Sequence, residues 1–140
     1  MNDNSLQLEL VTKFISFNQQ IIKRIDGQLS IHGINYSELM VLHYLNSAAQ
    51  QTMRRIDLAQ HIGLTASGIT RMLKPMEKLH LVEKEVNARD ARVSLVKLTP
   101  TGKILYRDAW LSFGHSAIGL TDNLDDAQLN NLATLLSALK

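Results

Sequence analysis

Within one short stretch the chain places Thr65, Ala66, Ser67, Thr70, Arg71 and Lys74, with Lys78 four residues further on. On a helix these residues share the surface left over once Ile69, Leu73 and Met76 turn inward. Small and hydroxyl side chains at the helix start, followed by cations, suit insertion into a DNA major groove. The first turns meet base edges and phosphates, and an arginine can reach guanine with two hydrogen bonds. An ordinary solvated helix face carries the same residue types, so the helix alone does not decide.

A second group lies further along. Arg89 and Arg92 flank the tip of a polar connection, Asn87-Ala88-Arg89-Asp90-Ala91-Arg92, where they can reach a minor groove or a phosphate. DNA would repel Asp90. Its expected task is to hold Arg92 or Arg89 by a charge-assisted hydrogen bond. An exposed turn with ordinary charges is the plainer reading of the tip alone.

Other chemistries find little support. The chain has no cysteine, so disulfides, thiolate nucleophiles and Cys-rich zinc sites are excluded. Ser67-Gly68 lacks the Gly-x-Ser-x-Gly setting, there is no phosphate loop, and carboxylates do not cluster in apolar surroundings. No enzyme, no resident metal and no cofactor is therefore expected. The five histidines (His32, His43, His61, His80, His115) never pair at three or four residues. A metal-responsive alternative would have to assemble distant ligands, such as His43 and His115 with Glu38 or Asp108.

The elements that position these groups are mostly helical. Seven Gly, two Pro and 5% aromatics in 140 residues favour helices in one domain over a sandwich or barrel. Apolar positions Leu10, Phe14, Phe17, Ile21, Ile25 and Leu29 predict a helix from Ser5 to His32, ended by Gly33. It carries more apolar surface than a small core needs, and one side is expected to pack on a partner chain. Asn35 with Glu38 forms a capping-box spacing for a second helix. A polar link, Ala48 to Thr52, leads to a short helix Ile56–Ile62, a turn at Gly63-Leu64, and a helix from Thr65 to about Leu79. Together these make a helix-turn-helix. Alternating runs Val82–Val86 and Val93–Leu98 predict a hairpin. Thr99-Pro100 caps a helix to about Ile118, and Asp125 with Gln128 caps a last one. A hairpin directly after a helix-turn-helix makes a winged helix.

Charge supports the nucleic-acid reading. The net charge is only +2. Yet Arg54 to Arg107 holds eleven cations and five acids, +6, while the remainder holds four cations and eight acids, −4. A basic centre between acidic ends fits a DNA surface on a module with another task at its ends. The longest run without a charged residue, Leu39 to Met53, is too short and too polar to span a membrane. The opening Met1-Asn2-Asp3-Asn4 has neither the basic nor the apolar region of a signal peptide, so a cytoplasmic location is expected.

Gly63-Leu64-Thr65-Ala66-Ser67-Gly68-Ile69-Thr70-Arg71, followed by Leu79-His80-Leu81-Val82, resembles the MarR family of winged-helix regulators. Asp90-Ala91-Arg92 is similar to the family's Asp-x-Arg wing signature. Leu98-Thr99-Pro100-Thr101-Gly102 resembles the start of its fifth helix. The resemblance implies one domain over 1–140, mainly α with a small β-hairpin wing. Residues 34–98 would form the DNA-binding lobe, and 1–33 and 99–140 the dimerisation helices. It also implies a homodimer on a palindromic operator, often released by a small phenolic or other ligand. The resemblance thus implies a ligand-responsive repressor. A winged-helix scaffold that binds protein is the alternative.

Two departures stand out. His80 sits where the family usually has Gly, so the turn there is expected to be altered or strained. Pro75 lies inside the recognition helix, where a bend is expected. The ligand pocket of the family lies between the dimerisation helices and the DNA-binding lobe. Candidates facing it are His43, Tyr44, Arg107, Trp110 and Phe113, where Arg beside aromatics could hold an aromatic carboxylate. Core packing with a surface Arg explains the same residues more simply. Without cysteine, the thiol-based peroxide sensing of some family members is removed.

Overall fold

The computed structural model describes residues 3–140. Met1 and Asn2, half of the stretch read for a signal peptide, lie outside the described residues. The element order is α1 (Ser5–Leu29), a 3-10 turn (Ser30–His32), α2 (Tyr36–Ser47), a second 3-10 turn (Ala49–Gln51), β1 (Thr52–Arg54), α3 (Arg55–Ile62), α4 (Ala66–Lys78), β2 (Val82–Val86), β3 (Ser94–Leu98), α5 (Pro100–Thr121) and α6 (Asp126–Ser137).

The expected caps form. Asn35 and Glu38 close a reciprocal capping box on α2, and Asp125 and Gln128 close one on α6. Thr65 and Thr99 each accept a hydrogen bond from the glycine N–H three residues on, Gly68 and Gly102. Each cap satisfies amide groups that the first helical turn leaves without partners.

The core lies where α2 meets α3, α5 and the sheet, with α4 packed on α3 and β2. Leu39, Leu42 and Leu45 of α2, Leu58 of α3, and Ile69, Leu73 and Met76 of α4 are all buried, with Val82, Val96 and Leu98 from the strands. α1 behaves differently along its length. Ile25 and Leu29 are buried against α2 and α5, whereas Leu10, Phe14 and Phe17 stay exposed. α6 has no fully buried residue, and only Leu129 is half-buried.

The sheet has one strand more than the expected hairpin. Its order is β1-β3-β2, antiparallel throughout. Thr52, read as the end of a polar link, pairs with Lys97, and Arg54 with Leu95. Three residues are too few to show alternation, and β1 exists because β3 offers it a free edge.

Two helix ends share one design. α3 ends with Gly63 at φ 79°, and Leu64 N–H donates back to the Ala59 carbonyl. α4 ends with His80 at φ 57°, where Leu81 N–H donates to Met76 and His80 N–H to Glu77. This is a Schellman motif, with Leu81 and Met76 both buried beside it. The strain expected at His80 is present, because a non-glycine residue holds the left-handed position. α4 continues through Pro75 to Lys78. Leu79, the expected end of the helix, is its C-cap and is exposed.

Candidate nucleic-acid interface

α4 presents its outer face as a shallow groove lined by Ala66, Ser67, Thr70, Arg71 and Lys74. All five are exposed, while Ile69, Leu73 and Met76 anchor the opposite face. Among the described residues, neither Arg71 nor Lys74 has an ion-pair partner. Their charges remain available to an anion. Thr65 and Ser67 hydroxyls lie 3.2 Å apart at the start of the helix. Thr70 is less free, since its hydroxyl donates to the Ala66 carbonyl at 3.0 Å and accepts from Arg55.

At the wing, Asp90 holds Arg92. Its carboxylate accepts from Arg92 Nε at 3.1 Å, from Nη2 at 3.2 Å and from the Arg92 backbone N–H at 3.0 Å. These contacts, the side-chain ones first, keep the Asp90 carboxyl below the usual carboxylate value. Of the two arginines left open by the sequence, only Arg92 is held. Arg89 is exposed, and its backbone N–H donates to Asn87 Oδ1.

Two further arginines, not singled out from the sequence, stand at the start of α3, and Arg55 reaches this face through Thr70. Arg54 grips Asp57 with two hydrogen bonds, 2.7 and 2.9 Å. That pairing raises the Arg54 pKa and lowers that of Asp57. Arg55 reaches Glu77, Thr70 and Ser94. Nothing local announces Arg55, because its partners lie 15 to 39 residues away.

Four of the five ligand candidates, His43, Tyr44, Trp110 and Phe113, form one chain of ring contacts. His43 stacks on Trp110, with ring centroids 4.3 Å apart and planes 3° from parallel. His43 Nδ1 lies 2.7 Å from the Tyr106 hydroxyl, whose pKa burial raises. Trp110 packs on Phe113, and Phe113 on Tyr36. Arg107 is exposed. Tyr44 meets His43 edge-on at 5.7 Å and stacks on His61 at 4.7 Å, beside a small cavity that Tyr36, Ser37, Met40 and Ile62 also line. For the metal-responsive alternative, no group of three potential ligands converges among the described residues. No described helix is long and apolar enough to cross a membrane.

Comparison with known proteins adds three findings. Residues 32–93 match the model of the MarR family. Over 88 residues the chain is 30% identical to the HTH-type transcriptional regulator PrsX of Escherichia coli, covering 63% of this chain and 53% of PrsX. It is 29% identical over 82 residues to the uncharacterized HTH-type transcriptional regulator YhbI of Bacillus subtilis, covering 59% of this chain and 53% of that one. The chain thus spans about half the length of the curated relatives it matches. Among solved structures, a mutant MarR from E. coli complexed with operator DNA superposes with a TM-score of 0.85 at 25% identity, over 98% of this chain and 97% of that one. The S. aureus MepR–DNA complex superposes at 0.80 and 22% identity, over 92% and 97%, a likeness of fold.

Proposed function

We propose that this chain is a member of the MarR family and a sequence-specific DNA-binding transcriptional regulator acting as a homodimer on a palindromic operator. The observation that carries the proposal is the outer face of α4. There Arg71 and Lys74 stand exposed beside Ser67 and Thr65, on a helix anchored by Ile69, Leu73 and Met76. The DNA-bound state of a similarly folded relative supports the same reading. In it, residues 34–98 form the reading lobe, while 1–33 and 99–140 supply the dimer.

The dimer reading rests on apolar surface. Leu10, Phe14 and Phe17 of α1 are 46, 43 and 51% exposed, and Leu135 and Leu136 of α6 are exposed as well. Surface of that kind is stable in water when a second copy covers it. Two recognition helices would then enter successive major grooves, about 34 Å apart. Repression follows by covering a promoter in the cytoplasm. A small aromatic or phenolic ligand would release it only by binding one spacing of the two lobes better than the other.

The test is binding to a selected duplex across salt. Several Lys and Arg contacts predict a loss of roughly a thousandfold between about 50 and 200 mM salt. A flat response, or no binding at low salt, overturns the proposal in favour of a protein-binding scaffold. Phe14→Glu with Phe17→Glu should yield monomers in sedimentation. A dimer that survives both changes removes α1 from the interface.

A further inference from the structure

Arg55 opens α3, yet its guanidinium spreads over two other elements. Nη2 donates to Glu77 Oε1 at 3.1 Å, Nη1 to Thr70 Oγ1 at 3.3 Å, and Nε to Ser94 Oγ at 3.1 Å. The side chain is 16% exposed, and that of Glu77 23%. Thr70 and Glu77 lie about two turns apart along α4, so they share one side of it. A helix held at one point can roll about its axis. Held at two points on the same side, it cannot. Ser94 opens β3, the strand that leads out of the wing. One side chain thus ties the helix that carries Arg71 and Lys74 to the hairpin that carries Arg92.

The hydrogen-bond inventory closes. The Thr70 hydroxyl has one hydrogen and gives it to the Ala66 carbonyl, which leaves a lone pair to accept from Arg55. Arg55 is committed rather than available. Three of its N–H groups are used within the fold, and the side chain is mostly covered. A lysine would offer one point charge and could not span the same three partners.

We propose that Arg55 is a positioning residue for operator recognition. It sets the roll of α4 and the placing of α4 against the wing, and so decides which base edges Arg71 meets, without touching DNA itself. This inference rests on the DNA-binding function proposed above and names a specificity determinant within it.

The experiment compares binding to two duplexes, one selected from a random pool by the wild-type chain and one of scrambled sequence, across a salt series. Arg55→Lys and Glu77→Gln are measured beside the wild type, with circular dichroism to confirm folding. The preference for the selected duplex should fall on the order of tenfold in Arg55→Lys, as when a single base pair is misread. It should fall less in Glu77→Gln, where an amide oxygen replaces the carboxylate oxygen. Affinity for the scrambled duplex and the slope of log Kd against log salt should stay at wild-type values. If Arg55→Lys misfolds, Glu77→Gln decides. Unchanged preference overturns the inference. An even loss on both duplexes with a slope smaller by about one also overturns it, since Arg55 would then be a phosphate contact. A wild-type chain that binds no duplex overturns the DNA-binding function, and the inference with it.

Discussion

Gly102 stands so close to Leu81 that a Cβ added to it would lie 2.0 Å from the Leu81 carbonyl oxygen. That oxygen also accepts from the backbone N–H of Thr99 at 3.1 Å, and the Thr99 hydroxyl lies 3.0 Å from it. The start of α5 is therefore clamped onto the chain leaving α4. The same Thr99 hydroxyl caps α5 through Gly102 N–H. The clamp joins the proposed dimer helices to the reading lobe at one defined place.

Gly102→Ala should therefore destabilise the fold by more than about 2 kcal/mol, the range of a forced backbone shift. Urea unfolding measures it. A loss of a few tenths would mean that the α5 start slides away freely.

His80→Gly should do the opposite. The left-handed φ of 57° costs a non-glycine residue on the order of 1 kcal/mol, and glycine's greater freedom in the unfolded chain returns part of it. The expected result is a gain of about 0.5–1 kcal/mol, seen as a higher urea midpoint at unchanged slope. A lower midpoint would show that the imidazole contributes a contact worth more than the strain.

Arg71→Ala should relax sequence preference at one base pair, by about 1–3 kcal/mol if the guanidinium reads an edge. Binding to a panel of single-base operator variants measures this. Equal loss on every variant would reduce Arg71 to a phosphate contact.

Arg92→Ala should weaken binding roughly tenfold and flatten the salt slope by about one, with the dimer intact in sedimentation. Asp90 gives the same arginine its aim, so Asp90→Ala should weaken binding less. Monomers in either variant would contradict the division between wing and end helices.

Much of this architecture was legible in the residues. The boxes at Asn35 with Glu38 and at Asp125 with Gln128 form as spaced. So does the Thr99-Pro100 helix start. Ile69, Leu73 and Met76 are buried while Arg71 and Lys74 face out. The wing pair was half legible, since Asp90 had two arginines within reach and takes Arg92. The pocket residues were least legible. A histidine, a tyrosine and a tryptophan at suitable spacing say nothing about how their rings meet, and the stacking of His43 on Trp110 is set by the packing of α2 on α5.

The sequence by itself determined the basic centre, which is composition, and the features that close within about four residues: caps, helix faces and the turns at Gly33 and His80. These depend on backbone geometry and helical period, which neighbours in the chain impose on one another. Only the tertiary structure decided the rest. β1 became a strand because β3 presented an edge. Ile25 and Leu29 were buried, and Phe14 and Phe17 left bare, because α2 and α5 lie only along the later part of α1, although the apolar period runs through both. Arg55 found Glu77 22 residues away. A long-range contact forms where the packed core brings two elements together, and no local spacing encodes that meeting.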